Sequence, residues 1–445
     1  MDAFLKKLMD AAKAAGIEAC EAYLVEEESF RARSTEGEIN EYQNHTARGL
    51  GFRGLKNGRM GYASTEAFDD EAVSQLVKGV LESAELCEDD DEALLYEGGD
   101  EVPELCLCGA GSADITTEAK LGRIAEMEKA VKGFDSRVEK TARNVLRTGR
   151  ATVRIVNSYG MDRSYTEDLC VLYGQATARV GERVATGSYG AASRDFEKLD
   201  ASTLGTEIAR RAIAGLDAKS LPSGRYRVVL NNETMVDLLS TFSGIFSAEN
   251  AQKGLSLLKG KLGEAVAASC VTLVDDPLLL AGMGARPFDD EGVASRAHTV
   301  IEKGVFRTFL HNLKTARKDG VQTTGNASKA GYASPVRVAP SNLYLQAGEQ
   351  SFDELLASVG QGVVITEVSG LHAGANPVSG DFSLLSKGYV IENGKRGQSV
   401  EQITVAGNFY ELLKNARSMA DDLVFPMGSI GSPSVDVGEL SISGC

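Results

Sequence analysis

The chain has 445 residues and a formal net charge of −16, with 43% hydrophobic and 25% charged residues. This balance is typical of a soluble globular protein with two or three domains, and it excludes an intrinsically disordered chain. The excess of acidic groups argues against nucleic acid or an anionic membrane surface as a direct partner, because neutralising phosphates requires clustered lysines and arginines.

The N-terminal segment MDAFLKKLMDAAKAAG is predicted to form an amphipathic helix over residues 3–15, ended by Gly16. It carries acids as well as lysines and lacks the apolar stretch and cleavage site of a signal peptide, and no segment of the chain reads as a membrane span. The seven cysteines are odd in number and form no C-x-x-C pair, which favours a reducing compartment over a disulfide framework. We therefore expect a cytoplasmic protein.

The first half is predicted to combine helices with antiparallel strands. Strands over residues 18–43 turn near Glu36-Gly37, and a hairpin over residues 49–65 turns at Asn57-Gly58, a strong two-residue hairpin signal. A period of two over residues 137–193 predicts a further antiparallel sheet. Helices are predicted over residues 69–87, 118–133 and 203–218.

A domain boundary is predicted at residues 221–224, where a proline and a glycine break the preceding helix. It divides the chain into an N-terminal α/β domain, residues 1–220, and a C-terminal β-rich domain, residues 221–445. The second half is predicted to contain hairpins over residues 296–310 and 388–405 and a helix over residues 408–419. Strands joined by hairpins, with helices at their ends, predict an α+β fold rather than a doubly wound parallel sheet. The acidic run at residues 88–92 is predicted to be a solvated loop.

The stretch over residues 225–254 is the one around which the chain is organised. A buried strand over residues 228–230 leads to Asn231 or Asn232, either of which can cap a following helix. Bulky residues recur at helical spacing on one face of that helix, and Ser240, Ser243 and Gly244 lie on the other. A face of small residues fits either close packing against a strand or a cleft wall for an extended ligand.

Glycine and histidine patterns elsewhere in the chain could indicate a cofactor or metal site. Gly49, Gly51 and Gly54 match G-x-G-x-x-G, but a hairpin follows instead of the helix that a dinucleotide site requires. None of the four histidines is followed by glutamate, so the helical metalloprotease pattern is absent. Three histidines from separate strands could still hold a zinc ion.

The segment EVSGLHAGANPVSGDFSLLSKGYVIENG, residues 367–394, carries an unusual density of glycine together with Asn376-Pro377. Thr323-Thr324-Gly325-Asn326 has a similar composition. Loops of this kind over a cleft could bind a peptide through main-chain hydrogen bonds. A set of structural turns in a curved sheet explains the same composition equally well.

At these residues the chain resembles the TldD/PmbA family, whose members were named as modulators of DNA gyrase. The resemblance covers nearly the whole chain and implies an N-terminal α/β domain followed by a domain built around a strongly curved antiparallel sheet. It also implies a protease complex of two related subunits that degrades unfolded peptides, processes peptide precursors and acts on small antitoxins. The matching segments are GLGFRGLKNGRMGYAST, FDDEG, IEKGV, TTGNA, GLHAGANPVSGDFSLLSKGYVIENGK, ITVAGNFYELLKN and GSPSVDVGELSISG.

The resemblance also indicates which subunit type this chain is. The TldD type carries H-E-x-x-x-H on the central helix and a cysteine near the C-terminus, which together hold zinc. Aligning Gln252-Lys253-Gly254 with the family's segment after that helix places the histidine positions at Leu239 and Gly244 and the glutamate position at Ser240. The C-terminal ligand position falls in residues 425–430, FPMGSI, which contain no cysteine. The chain therefore resembles PmbA, also called TldE, the subunit type that lacks the metal.

The resemblance implies that this chain binds no cofactor and pairs with a TldD-type subunit, which holds the zinc and acts with it on peptide substrates. The chain alone is then expected to be inactive, with a homodimer possible, and to contact neither nucleic acid nor membrane. The candidates for lining a substrate cleft are Ser240, Ser243, Gly244, Asn326, His372 and Asn376.

Two other functions stay open at this point. One is a self-sufficient metal-dependent hydrolase that uses His298, His311 or His372 together with Asp289 or Asp290. The other is a stand-alone peptide-binding scaffold that needs no partner. Metal analysis of the purified chain separates the first of these from a non-metal subunit, and recovery of a zinc-bearing relative from cell extract separates the second.

Overall fold

The computed structural model of the protein describes residues 1–87, 94–109 and 115–444. The predicted acidic loop at residues 88–92 lies outside this part of the chain, and so does Cys445. No helix within the described ranges has both the length and the apolarity needed to cross a membrane.

A sheet of long antiparallel strands forms the centre of the first half. The turns at Glu36-Gly37 and Asn57-Gly58 have positive φ at both residues, which confirms the two predicted hairpins. The elements are α1 (Asp2–Ala14), β1 (Ala19–Thr35), β2 (Glu38–Lys56), β3 (Arg59–Thr65), α2 (Asp70–Leu86), α3 (Thr117–Phe134), β4 (Val138–Asn157), β5 (Asp162–Val180), β6 (Arg183–Ser193) and α4 (Ala201–Gly215). The strand order is β3-β2-β1-β4-β5-β6.

Strand β1 is buried on both faces near its start, because alternate residues meet different neighbours. Ala22 and Leu24 pack with apolar residues of α1 and α2, whereas Tyr23 packs with Phe288 of the second half. Glu21 shares the face of Tyr23 and lies directly opposite Arg53 of β2. Helices therefore cover one face of this part of the sheet, and the second half of the chain covers the other.

The second half is a succession of short and long strands with small helices between them. Its elements are β7 (Gly224–Leu230), α5 (Asn232–Phe242), α6 (Ala248–Gln252), β8 (Leu273–Asp275), β9 (His298–Glu302), β10 (Val305–Phe306), α7 (Leu313–Asp319), β11 (Ala327–Ser328), β12 (Arg337–Val338), β13 (Leu343–Leu345), α8 (Phe352–Val359), β14 (Gly362–Ser369), α9 (Leu371–Gly374), β15 (Asp381–Glu392), β16 (Lys395–Asn408), α10 (Phe409–Asn415), β17 (Ser418–Met419), β18 (Ile430–Gly431) and β19 (Val435–Ser443). A 3₁₀ turn, Ser243–Phe246, joins α5 to α6.

Strands β16, β15, β14, β7 and β19 close into a barrel, because β16 also pairs with β19. The pair β7–β14 is parallel, and the other pairs of the barrel are antiparallel. Val229 of β7 packs with Leu355 of α8, whereas its neighbours Val228 and Leu230 pack with α5 on the opposite face. This closed, strongly curved sheet confirms the predicted α+β class.

The structure corrects two predicted elements. The last helix ends at Asn415 instead of residue 419, because Ser418 and Met419 pair with β19 as a short strand. The second arm of the hairpin over residues 296–310 is also shorter than predicted. Leu310 leaves that hairpin and exchanges backbone hydrogen bonds with the 3₁₀ turn and the start of α6.

Candidate functional site

The central helix α5 is built as its sequence predicts. The Asn231 side chain accepts a hydrogen bond from the backbone N–H of Thr234 and caps the helix. The Phe242 ring stacks on that of Phe409 with 4.7 Å between centroids, which ties α5 to α10. The bulky face is fully buried and consists of Met235, Leu238, Leu239, Phe242, Ile245 and Phe246.

The three residues that the resemblance places at metal-ligand positions carry groups that do not bind zinc. Leu239 is buried in the apolar core, Ser240 is exposed, and Gly244 lies in the 3₁₀ turn. Zinc in proteins is held by thiolate, imidazole and carboxylate groups, and none of these three residues supplies one. Across the described residues, no group of three or more His, Cys, Asp and Glu side chains is placed to hold a metal ion. The residues of this chain therefore do not fit a zinc ion on the central helix.

Hydrogen bonds within the turn also fix the small residues. The Ser243 hydroxyl donates to the Ser240 carbonyl oxygen at 2.9 Å, and Asn250 Nδ2 donates to the Gly244 carbonyl oxygen at 2.9 Å. A β-carbon on Gly244 would lie 3.1 Å from Asn250 Nδ2, so even alanine would be tight there. The absence of a side chain at residue 244 is thus part of how the turn packs.

A groove of about 390 Å³ lies beside the end of the central helix. Its lining combines apolar residues with polar and charged ones. The apolar ones are Leu257, Leu258, Ala265, Val266 and the ring of Tyr410, and the others are Lys261, Ser379, Asn408, Glu411 and Lys414. Two contacts hold the segment after α6 in place. The Ser256 hydroxyl donates to the Ile245 carbonyl oxygen at 2.6 Å, and the Leu257 N–H donates to Tyr410 Oη at 3.2 Å.

The glycine-rich loop forms a further wall of this groove. Asn376 is exposed, but its Oδ1 accepts hydrogen bonds from the N–H groups of Val378 and Ser379, as in an Asx turn. Asn408 Nδ2 then donates to the Ser379 carbonyl oxygen at 2.8 Å. Gly380 has φ +83°, and a β-carbon there would lie 2.6 Å from the Tyr410 ring. The turn chemistry of this loop is structural, and it places Ser379 at the edge of the groove.

The predicted cleft residues fall into three separate places. Ser240 lies in the last turn of α5, next to Ser243 and Gly244 of the 3₁₀ turn. His372 lies in the short helix α9, and Asn376 lies in the exposed loop after it. No hydrogen bond in the described part of the chain joins the two sets. These five residues are not part of the lining of the groove, to which the loop contributes Ser379.

Asn326 lies elsewhere, fully buried in the second half. Its Nδ2 donates to Asp275 Oδ2 at 2.7 Å, and its Oδ1 accepts from the Thr324 hydroxyl at 2.6 Å. Burial raises the pKa of Asp275 to about 6, although the hydrogen bond from Asn326 opposes that rise. Asn326 therefore organises a buried polar network and lines no open surface.

The side chains that a self-sufficient hydrolase would require form hydrogen bonds with other groups. Asp289 is fully buried and accepts hydrogen bonds from three backbone N–H groups, while Asp290 accepts one from the Tyr23 hydroxyl. Arg296 Nε donates to His298 Nε2 at 3.3 Å. Burial lowers the pKa of both His298 and His311. None of the hydrogen bonds among the described residues links a histidine to Asp289 or Asp290.

Sequence reasoning did not find the groove. Its leucines belong to the run LSLLKGKL, where Leu255, Leu257 and Leu262 are 44%, 55% and 55% exposed. A dense apolar run with no helical or strand period was the available signal. Of this run, Leu257 and Leu258 line the groove.

Comparison with known proteins shows that the chain matches the domains of PmbA/TldA metallopeptidases. Domain 1 of these metallopeptidases matches residues 20–84, the central domain matches residues 111–216, and the C-terminal domain matches residues 223–444. The chain belongs to the PmbA/TldD family.

Relatives named after PmbA and after TldD are both similar to it over most of their length. The metalloprotease PmbA homologue of Haemophilus influenzae is 27% identical over 94% of this chain and 90% of its own. The metalloprotease TldD homologue of the same organism is 26% identical over 92% and 89%. A Thermotoga maritima structure, described as a candidate modulator of a DNA gyrase, is 34% identical with a TM-score of 0.92, covering 99% and 100%. TldE from Thermococcus kodakarensis, 21% identical over 99% and 100%, has the same fold with a TM-score of 0.91.

Proposed function

We propose that this chain is the non-metal subunit of a cytoplasmic TldD/TldE-type metalloprotease complex. One observation carries the proposal: an aliphatic side chain, a hydroxyl and a glycine, at Leu239, Ser240 and Gly244, occupy the family's ligand positions. Hydrolysis of a peptide by zinc requires three protein ligands, an open position for water and a general base. The side chains at residues 239, 240 and 244 supply none of these groups, so the zinc belongs to a TldD-type partner.

The contribution of this chain is peptide binding. The groove beside Tyr410 offers apolar surface for a bulky side chain, and the exposed loop around Asn376 offers backbone groups at its edge. Unfolded peptides expose apolar side chains that a folded protein buries, and the groove suits that class of substrate. The partner then cleaves a peptide that this subunit helps to hold.

The test compares the purified chain alone with the same chain co-expressed with a TldD-type relative from the same genome. Zinc content is measured by mass spectrometry, and cleavage is measured on an unfolded peptide. We expect zinc and cleavage only in the co-purified complex. Stoichiometric zinc and cleavage in the chain alone would instead establish a self-sufficient hydrolase, and failure to recover any zinc-bearing relative would favour a stand-alone scaffold.

A further inference from the structure

A second pocket, of about 140 Å³, lies where the second half covers the sheet of the first half. It is bounded by β2 and β3 on one side and by the segment from Lys329 to Ser334 on the other. The segment approaches β2 closely, because a β-carbon on Gly51 would lie 1.9 Å from the Tyr332 carbonyl oxygen. Glycine at residue 51 is thus needed to form the pocket. The central helix does not contribute to its lining.

Lys329 reaches this pocket with its amine free of an anionic partner. Its backbone N–H donates to Asp290 Oδ2 at 2.6 Å, and its Nζ lies 4.1 Å from the centre of the Tyr23 ring. Among the described residues, no carboxylate oxygen lies within ion-pairing distance of Nζ. The nearby carboxylates are used otherwise, since Glu21 and Glu291 both accept hydrogen bonds from Arg53.

Burial and, after it, the adjacent Arg53 guanidinium lower the pKa of Lys329 to about 8, so the amine is still mostly protonated at pH 7. Glu21, Asp290 and Glu291 favour the charged form of the Lys329 amine from beyond ion-pairing distance. An ammonium held out of water without an anion is unfavourable, and its contact with the Tyr23 ring compensates only in part. A bound anion would remove that cost.

The lining indicates the class of anion. Besides the amine, the hydroxyls of Tyr62, Ser64 and Ser334 line the pocket and can donate hydrogen bonds to an oxygen. The Arg53 guanidinium is already bound by two carboxylates, so the Lys329 amine is the cationic group of the lining with which a ligand can pair. A singly charged, two-oxygen group matches this better than a phosphate with about two charges. The volume equals roughly four or five water molecules, which suits a small group.

We propose that this pocket binds a carboxylate group, with the Lys329 amine as its charge partner. The carboxylate can come from a free small acid or from the C-terminus of a short peptide, and the chemistry of recognition is the same. The site is distinct from the groove and the central helix. A test of this site is therefore independent of the proposed subunit role.

The test is calorimetric titration of the full chain with acetate, with an N-acetylated dipeptide that has a free C-terminus, and with the C-terminal amide of that dipeptide. We expect at least one acid to bind saturably and the amide to bind at least about tenfold more weakly, because a charge-assisted hydrogen bond is lost. Tighter binding of the peptide acid than of acetate identifies a peptide terminus as the source. The reverse order identifies a free acid.

Variants at Lys329 separate binding from folding. Lys329→Met should weaken binding of the acid by about ten- to a hundredfold, whereas the exposed control Lys259→Met should leave it unchanged. NMR of labelled lysine side chains should show the Lys329 pKa rising when the acid binds, a readout that needs no variant. Equal binding of acid and amide, an unmoved Lys329 pKa, or no saturation by about 10 mM acid would overturn the proposal. The amine would then be held by the Tyr23 ring alone.

Discussion

Arg53 is a full charge held inside the protein, with 4% of its side chain exposed. Its Nε and Nη2 donate to the two Glu21 oxygens at 2.8 and 3.1 Å, and its Nη1 donates to Glu291 at 3.2 Å. Glu21 is its cross-strand neighbour, whereas Glu291 comes from the second half of the chain. One guanidinium therefore satisfies two buried carboxylates and links the halves. The favourable geometry compensates for the cost of taking three charges out of water.

Replacing Arg53 by methionine should destabilise the protein by roughly 3–5 kcal/mol, because two buried carboxylates lose their partner. The free energy of unfolding from denaturant titration measures this. The control is Arg225→Met, whose ion pair with Glu439 is exposed on both sides and should contribute less than about 1 kcal/mol. A loss for Arg53→Met no larger than that of the control would contradict the assignment of this triad as a buried network.

Gly51→Ala should destabilise the protein by about 1–3 kcal/mol or more, because the new β-carbon would overlap the Tyr332 backbone and push the segment off β2. Gly331→Ala is the matched control in the same segment, since nothing lies within 4 Å of a β-carbon there. Its effect should stay within about 0.5 kcal/mol. If thermal unfolding midpoints of the two variants coincide, the close approach does not exist in solution.

Asp237 on α5 should titrate above its ordinary range. Although Asp237 is exposed, partial desolvation and then the charges of Glu233 and Glu367 raise its pKa from 3.8 to about 6. A raised pKa of an acid gives stability that is present in full below about pH 4 and is lost as the pH rises through 6. Carboxyl ¹³C NMR should show the Asp237 titration with a midpoint near pH 6. In Glu367→Gln this midpoint should move to lower pH, since one like charge is removed. In the control Glu401→Gln the midpoint should stay, and a midpoint near 4 in the unmodified chain would refute the assignment.

At the scale of elements, local sequence signals predicted the helix, cap or turn correctly wherever a single segment determines its own structure. The periodicity of α5, the Asn231 cap and the turn at Asn57-Gly58 are each encoded within a few residues, and all are confirmed. The pairing of β16 with β19 that closes the barrel joins segments far apart in sequence, and no local pattern specifies it. Arg53 was missed for the same reason. Its strand alternates as if one face met solvent, but the second half covers that face.

The groove was missed because its apolar side chains come from elements that sequence does not bring together. Leu257 follows α6, whereas Tyr410 belongs to α10, and only the folded chain joins them through the hydrogen bond between the Leu257 N–H and Tyr410 Oη. The metal-ligand positions, by contrast, follow from alignment with the family. The sequence could therefore predict the residue types at these positions, and it could not predict the location of the apolar surface.

If the groove binds peptide, Leu257→Asp should weaken binding of an unfolded peptide by about tenfold or more, because a charge replaces apolar contact surface. Leu86→Asp is the control, since Leu86 is 88% exposed at the end of α2, away from the groove. Fluorescence anisotropy of a labelled peptide measures both. Equal affinities of Leu257→Asp and the unmodified chain would remove the groove from the proposed function without affecting the absence of zinc ligands.

At the scale of the whole molecule, polar contacts cross between the predicted domains at several points. The Tyr23 hydroxyl donates to Asp290 at 2.9 Å, and Arg194 Nη2 donates to the Gly282 carbonyl oxygen at 3.1 Å. These hydrogen bonds and the ion pair between Arg53 and Glu291 join buried groups. Solvent therefore does not screen them. The division at residues 221–224 therefore separates two chain segments that share a buried, charged interface.

This interface predicts that the two halves unfold together. Differential scanning calorimetry of the full chain should show one transition, because opening the interface would leave Glu21 and Glu291 buried or newly hydrated without their shared cation. Two variants sharpen the test: Arg53→Met at the interface, and Leu204→Ala in the core of the first half, where Leu204 is 5% exposed. Cooperative halves require both variants to move the same single transition to lower temperature. Two resolved transitions, of which Leu204→Ala moves only one, would show instead that the halves are independent and that the buried charges do not couple them.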